Sequence, residues 1–155
     1  MTFRRERPPL VLDDTLALAL AGTEEVALRE RLQAEVGGDD LLAFSRWVCV
    51  RSRYTEDVVD QQARGGVGQY VILGVRLDTS AFRRPNRDLR VFEVDHPATQ
   101  AWKKRRLADL GFTIPDSLVF VPVDFERQAL RMALDEAGFM FSEQAVFSWL
   151  GVTST

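Results

Sequence analysis

The stretch from Gln69 to Asp95 limits what this chain can fold into more than any other. Gln69-Tyr-Val-Ile-Leu-Gly-Val-Arg-Leu-Asp-Thr79 reads as a buried strand running into a sharp loop, and Leu89-Arg-Val-Phe-Glu-Val-Asp95 reads as a second strand ending in an acid. An apolar run, a glycine at its carboxyl end, a following helix and a carboxylate about 20 residues on form the nucleotide-binding half of a doubly wound sheet. In such a sheet Gly74 lets the backbone approach a ligand closely, and Asp95 can take ribose hydroxyls. Glu93 and Asp95 lie two apart and so point to the same side of the strand, but only the terminal one needs to emerge from the sheet.

Val71-Ile-Leu-Gly-Val-Arg-Leu-Asp-Thr-Ser-Ala-Phe-Arg83, followed by Val91-Phe-Glu-Val-Asp-His-Pro97 and a helix from Ala98, resembles the leucine carboxyl methyltransferase-like group of S-adenosylmethionine-dependent O-methyltransferases, especially its actinobacterial branch. The resemblance runs from about Arg51 to the C-terminus. It implies an incomplete Rossmann-like class I methyltransferase fold of the α/β class, with N-terminal helices and about four parallel strands in the order 3-2-1-4. The expected division is a helical segment over residues 1–68 and a partial S-adenosylmethionine-binding domain over residues 69–155. Relatives continue beyond the point where this chain stops, so the resemblance implies the N-terminal portion of a methyltransferase. Strand four is then an exposed hydrophobic edge that invites self-association.

The resemblance also implies roles for particular residues. Arg51 matches an arginine that contacts the carboxylate of cofactor or substrate, with Arg53 as its neighbour; a planar guanidinium pairs a carboxylate through two parallel hydrogen bonds. The bland alternative is a surface arginine on a helix. Asp95 would hold the ribose hydroxyls, with Glu93 supporting it or bonding internally. Asp124 would accept from the adenine amine and Phe125 would cover a ring face, although Asp124 also suits a helix cap. Asp78 has two readings as well, a residue of the cofactor site beside Gly74 or a cap for the helix beginning near Ser80. Two positions depart from the group's pattern. Arg76 stands at its second glycine, a position expected to need φ > 0, where the arginine side chain would enter the space of the cofactor's methionine portion. Leu150 stands at an acid found in many relatives.

Elsewhere the chain reads as alternating helix and strand. A helix starts from Asp13-Asp14-Thr15, with Leu16–Ala21 as its body, after a loose arm over Thr2–Pro9. A second helix is expected over Val26–Val36. A third covers Asp39–Val50 with Leu41, Leu42, Phe44, Trp47 and Val48 as a core-facing stripe. Arg51–Asp57 follows, and Val58–Ala63 can continue as helix until Gly65-Gly66. Thr99–Leu110 is amphipathic, with Lys103-Lys-Arg-Arg106 as a solvated basic face. Leu118–Phe125 is a third strand, and Pro122 argues for an edge position or a strand end. A helix over Arg127–Glu136 and a fourth strand over Ala145–Thr153 complete the pattern.

Composition narrows the function. With 46% hydrophobic residues, including ten Phe and three Trp, 155 residues can build one real core. A net charge of -3 supplies no basic field for nucleic acid. The single cysteine, Cys49, excludes an internal disulfide and a multi-thiolate metal site, and suits a reducing, cytoplasmic compartment. No segment reaches about 18 uninterrupted apolar residues, so no membrane partner is expected. His96, the lone histidine, cannot by itself form a metal site, and no catalytic residue can be named. The expected function is methyl transfer from S-adenosylmethionine to a carboxylate or hydroxyl of a small molecule. One alternative is an inactive, truncated relative used as a binding or interaction module. Another is a nicotinamide-dependent oxidoreductase, disfavoured because the three-glycine fingerprint is missing.

Overall fold

The computed structural model describes residues 11–22, 38–84 and 86–150. In chain order the elements are α1 (Thr15–Ala21), α2 (Gly38–Arg64), β1 (Gln69–Leu73), α3 (Ser80–Arg83), β2 (Arg90–Asp95), α4 (Pro97–Asp109), β3 (Leu118–Pro122), α5 (Leu130–Glu136) and β4 (Ala145–Trp149). The strands form one parallel sheet in the expected order β3-β2-β1-β4. Val71 sits opposite Phe92 on one side and Phe147 on the other. The expected arm at Thr2–Pro9, the helix at Val26–Val36 and the end of the fourth strand near Thr153 lie outside the described residues.

The central strands are buried on both faces, which is why they read as unbroken apolar runs. Their side chains alternate between two cores. Tyr70, Ile72 and Val91 join Val59 of α2, Ala81 of α3 and Leu118 on one face. Val71, Phe92 and Val94 join Val121, Val123, Leu134 of α5 and Phe139 on the other. Leu107 of α4 packs with Leu16 and Leu20 of α1, against Phe82 and Phe120. Across β1 and β4 the Tyr70 and Ser148 hydroxyls, both buried, share a hydrogen bond of 2.8 Å.

Side chains finish the helix ends. Asp14 Oδ1 accepts from the Ala17 amide at 2.9 Å, so α1 starts where an acid can cap it. Its last carbonyls, those of Ala19 and Leu20, accept from the Arg106 guanidinium, each at 3.1 Å. Pro97 opens α4, and His96 Nδ1 accepts from the Ala98 amide at 3.2 Å. At the amino end of the sheet, the Gln69 side-chain amide exchanges two hydrogen bonds with the Met140 main chain, at 2.8 and 2.9 Å. Beside it, Arg90 donates to the Ala137 and Gly138 carbonyls after α5.

Two expectations are corrected, one on the face of α2 and one on α4. The pieces over Asp39–Val50, Arg51–Asp57 and Val58–Ala63 form one helix of 27 residues. Its stripe is not core: Phe44 and Trp47 are 60% and 56% exposed, and the side chains of Leu41 and Leu42 lie outside the described set. A helix that long spans about 40 Å, against roughly 17 Å for a five-residue strand, so only its later turns, around Val59, can lie on the sheet. Lys103 is 2% exposed and so does not belong to a solvated basic face. Pro122 both ends its strand and sits on an edge.

Candidate functional site

The turns after β1, β2 and β3 meet at the carboxyl end of the sheet. Gly74 leaves β1 with φ of 68° and donates its amide to the Val94 carbonyl at 2.9 Å. Arg76 follows with φ of 45°, the only positive value on a non-glycine residue among the described residues. Its amide donates to Asp95 Oδ2 at 2.7 Å, and the His96 amide donates to Asp95 Oδ1 at 2.7 Å. Each carboxylate oxygen of Asp95 thus holds one main-chain amide. Among the described residues, its remaining lone pairs are open to accept from a ligand.

Beside this acid lies a cleft of about 420 Å³ lined by Gly74, Arg76, Asp95, His96 and the segment 123–126. The Val123 amide donates to the Asp95 carbonyl at 2.9 Å, which brings Asp124 and Phe125 alongside the tip of β2. Asp124 Oδ1 accepts from the Glu126 amide at 3.1 Å, and its Oδ2 lies 3.5 Å from Arg127 Nε. The Phe125 ring is 53% exposed at the rim, an apolar surface available to a planar ligand. Of the six sequence-assigned site residues, Gly74, Asp95, Asp124 and Phe125 come together here.

The other two do not line the cleft. Asp78 Oδ1 accepts from the Ser80 amide at 2.8 Å and the Ser80 hydroxyl at 2.6 Å, an Asx-type turn just ahead of α3, whose N-cap is Thr79. Arg51 lies on α2 with its guanidinium 4.5 Å from the Trp47 ring centre, and its buried Nε finds no partner among the described residues. Its neighbour Arg53 pairs with Asp57 at 2.9 Å on the exposed side of the helix.

Behind the cleft, polar groups lock the loop in place. Thr79, fully buried, donates to the Asp14 carboxylate at 2.7 Å and accepts from Arg83 Nε at 2.9 Å. Arg83 also pairs with Glu56 of α2, which Arg84 reaches at 3.3 Å. Lys103 Nζ donates to the Asp78 carbonyl at 2.6 Å and to Glu93 Oε2 at 2.7 Å. Gln100 Nε2 donates to the Glu93 and Val121 carbonyls at 2.7 and 3.0 Å. Burial raises the Glu93 carboxyl to about 7, with the Lys103 ammonium opposing the shift. The sequence carried a signal for Lys103: it precedes the inward Leu107 by one helical turn, which places both on one face.

YktD of Bacillus subtilis, whose name assigns it to the S-adenosyl-L-methionine-dependent methyltransferases, is 36% identical over 167 aligned positions, covering 94% of this chain and 55% of the relative. Proteins named in the same way from Mycolicibacterium gilvum and Mycobacteroides abscessus are 36% and 37% identical, covering 72% and 85% of this chain and 45% and 44% of the relatives. This chain therefore spans about half the length of the curated relatives it matches. Among the described residues no helix is long and apolar enough to cross a membrane. With a family model described as leucine carboxyl methyltransferase matching residues 2–154, the chain belongs to the leucine carboxyl methyltransferase family.

Proposed function

We propose that this chain builds the S-adenosylmethionine site of a methyltransferase acting on an oxygen of a small molecule. One observation carries the reading: the Gly74–Arg76 turn and the Asp95 tip are joined at one sheet end, beside a cleft closed on its far side by Asp124 and Phe125. At about 420 Å³ the cleft falls within the usual range for small-molecule sites. Asp95 offers lone pairs suited to ribose hydroxyls, Asp124 an acceptor for an exocyclic amine, and Phe125 a face for a purine ring. When bound, the cofactor supplies an electrophilic methyl group on a sulfonium. The protein's task is alignment and exclusion of water.

The acceptor in this reading is a carboxylate or hydroxyl oxygen of a small molecule. His96 Nδ1 accepts the Ala98 amide, so that nitrogen is engaged at the start of α4. Arg76 supports a second reading, since its side chain lines the cleft where the resembling group has glycine. In that reading the site has lost its ligand and the fold serves as an interaction module.

Calorimetric titration with S-adenosylmethionine, S-adenosylhomocysteine and NAD, on the wild-type chain and on Arg76→Gly, separates these. Binding of the two adenosyl ligands but not NAD by the wild type is the expected result. Binding only after Arg76→Gly favours the second reading, and binding of NAD alone overturns both.

A further inference from the structure

The loop from Gly74 to Thr79 is tied down from several sides, and one tie differs in kind. The Gly74 amide bonds to the Val94 carbonyl, the Arg76 amide to Asp95, and the Thr79 hydroxyl to Asp14. The Asp78 carbonyl instead accepts from an ammonium that reaches the loop from α4 and is 2% exposed. The same ammonium sits on Glu93, two residues before Asp95 on β2 and 1% exposed. One buried cation therefore bridges the strand that ends in Asp95 and the loop that contains Arg76. Burying an ammonium is costly unless it is paired and hydrogen-bonded, and an apolar side chain of similar length would fill the same space without that cost. What the pair supplies beyond filling is a fixed geometry between loop and strand.

We propose that Lys103 is a positioning residue for the cleft: its ammonium, seated on Glu93, grips the Asp78 carbonyl and fixes the Gly74–Asp78 turn so that the Arg76 amide meets Asp95. The inference rests on the cleft being the cofactor site proposed above. Lys103 does not line the cleft and acts only through the loop. Glu93 Oε1, buried and without a partner among the described residues, leaves the carboxylate's other oxygen to the ammonium alone.

Hydrogen exchange followed by NMR, together with calorimetric titration of S-adenosylhomocysteine, tests this on the wild type, Glu93→Gln and the double variant Lys103→Met/Glu93→Gln. In the folded double variant, protection of the Arg76 and Asp78 amides should fall about tenfold or more while that of Val71 and Phe92 is unchanged. Affinity for S-adenosylhomocysteine should fall by about tenfold. Glu93→Gln alone, which leaves the ammonium an uncharged acceptor and the Asp78 carbonyl, should lose less of both than the double variant. Unchanged loop protection in the double variant overturns the proposal, as does lost protection with unchanged affinity. Lys103→Gln, shorter and uncharged, answers the same question if the double variant does not fold. If the wild-type chain binds no adenosyl ligand, the proposed function fails, and the exchange comparison alone decides the role of Lys103.

Discussion

The main-chain amide of Arg76 and Oδ2 of Asp95 are 2.7 Å apart, so the non-glycine residue with positive φ and the acid at the tip of β2 act as one unit. The left-handed backbone at Arg76 turns its amide toward β2, and the carboxylate repays that conformation with a charge-assisted hydrogen bond.

Removing the acceptor tests this unit directly. Asp95→Ala leaves the Arg76 and His96 amides without their carboxylate and should destabilise the chain by about 1–2 kcal/mol in urea denaturation. Asp95→Asn, which keeps one acceptor oxygen, should lose less.

The backbone cost can be isolated at the other partner. Arg76→Gly should be more stable than Arg76→Ala by about 1 kcal/mol, because alanine keeps a Cβ at φ of 45° and glycine does not. Equal urea midpoints for the two variants would show that the positive φ is not held in solution.

Two glycines of nearly equal φ make a paired test elsewhere. Gly111→Ala, at φ of +73° with nothing near the added Cβ, should cost about 1 kcal/mol from backbone strain alone. Gly22→Ala, at φ of +69°, sets its Cβ 2.8 Å from Arg106 Nη2 and so also disturbs the guanidinium that finishes α1. Its thermal midpoint should fall further than that of Gly111→Ala.

The buried hydroxyl pair between β1 and β4 has a signature of its own. Tyr70→Phe leaves the Ser148 hydroxyl buried without its partner and should cost about 1–2 kcal/mol. Adding Ser148→Ala should recover part of that loss, as a double-mutant cycle in urea would show.

Glu93 gives stability a pH dependence opposite in sign to that of an ion-paired surface acid. Burial lifts its carboxyl from an ordinary 4.5 to about 7, so the folded chain holds a proton that the unfolded chain has released between those values. Its contribution to stability is full below pH 4.5 and is lost as pH rises through about 7, a change on the order of 3 kcal/mol. Subtracting the urea stability of Glu93→Gln from that of the wild type at each pH should reveal this falling slope. A flat difference would show that Glu93 titrates alike in both states.

The sheet was legible because its strands are short apolar runs, each closed by a glycine, proline or acid, and the order 3-2-1-4 was implied by the family resemblance. Gly74, Asp95, Asp124 and Phe125 were legible because each falls where a strand ends. Arg51 and Asp78 lie outside the cleft, and local sequence leaves an arginine on a helix and an acid before a helix with two uses each. The exposure of Phe44 and Trp47 was hidden for a different reason: periodicity identifies an apolar face but not how far a helix overhangs the sheet. Lys103 had the right spacing from Leu107, and its charge argued against burial until Glu93 supplied a partner from a distant strand.

The Gln69–Met140 amide pair and the Arg90 bonds to Ala137 and Gly138 close the end of the sheet opposite the cleft. The molecule thereby keeps its rivets away from the cleft. Changes at residues 123–126 leave those rivets untouched, and an engineer seeking a hardier scaffold would begin work at Gln69 and Arg90.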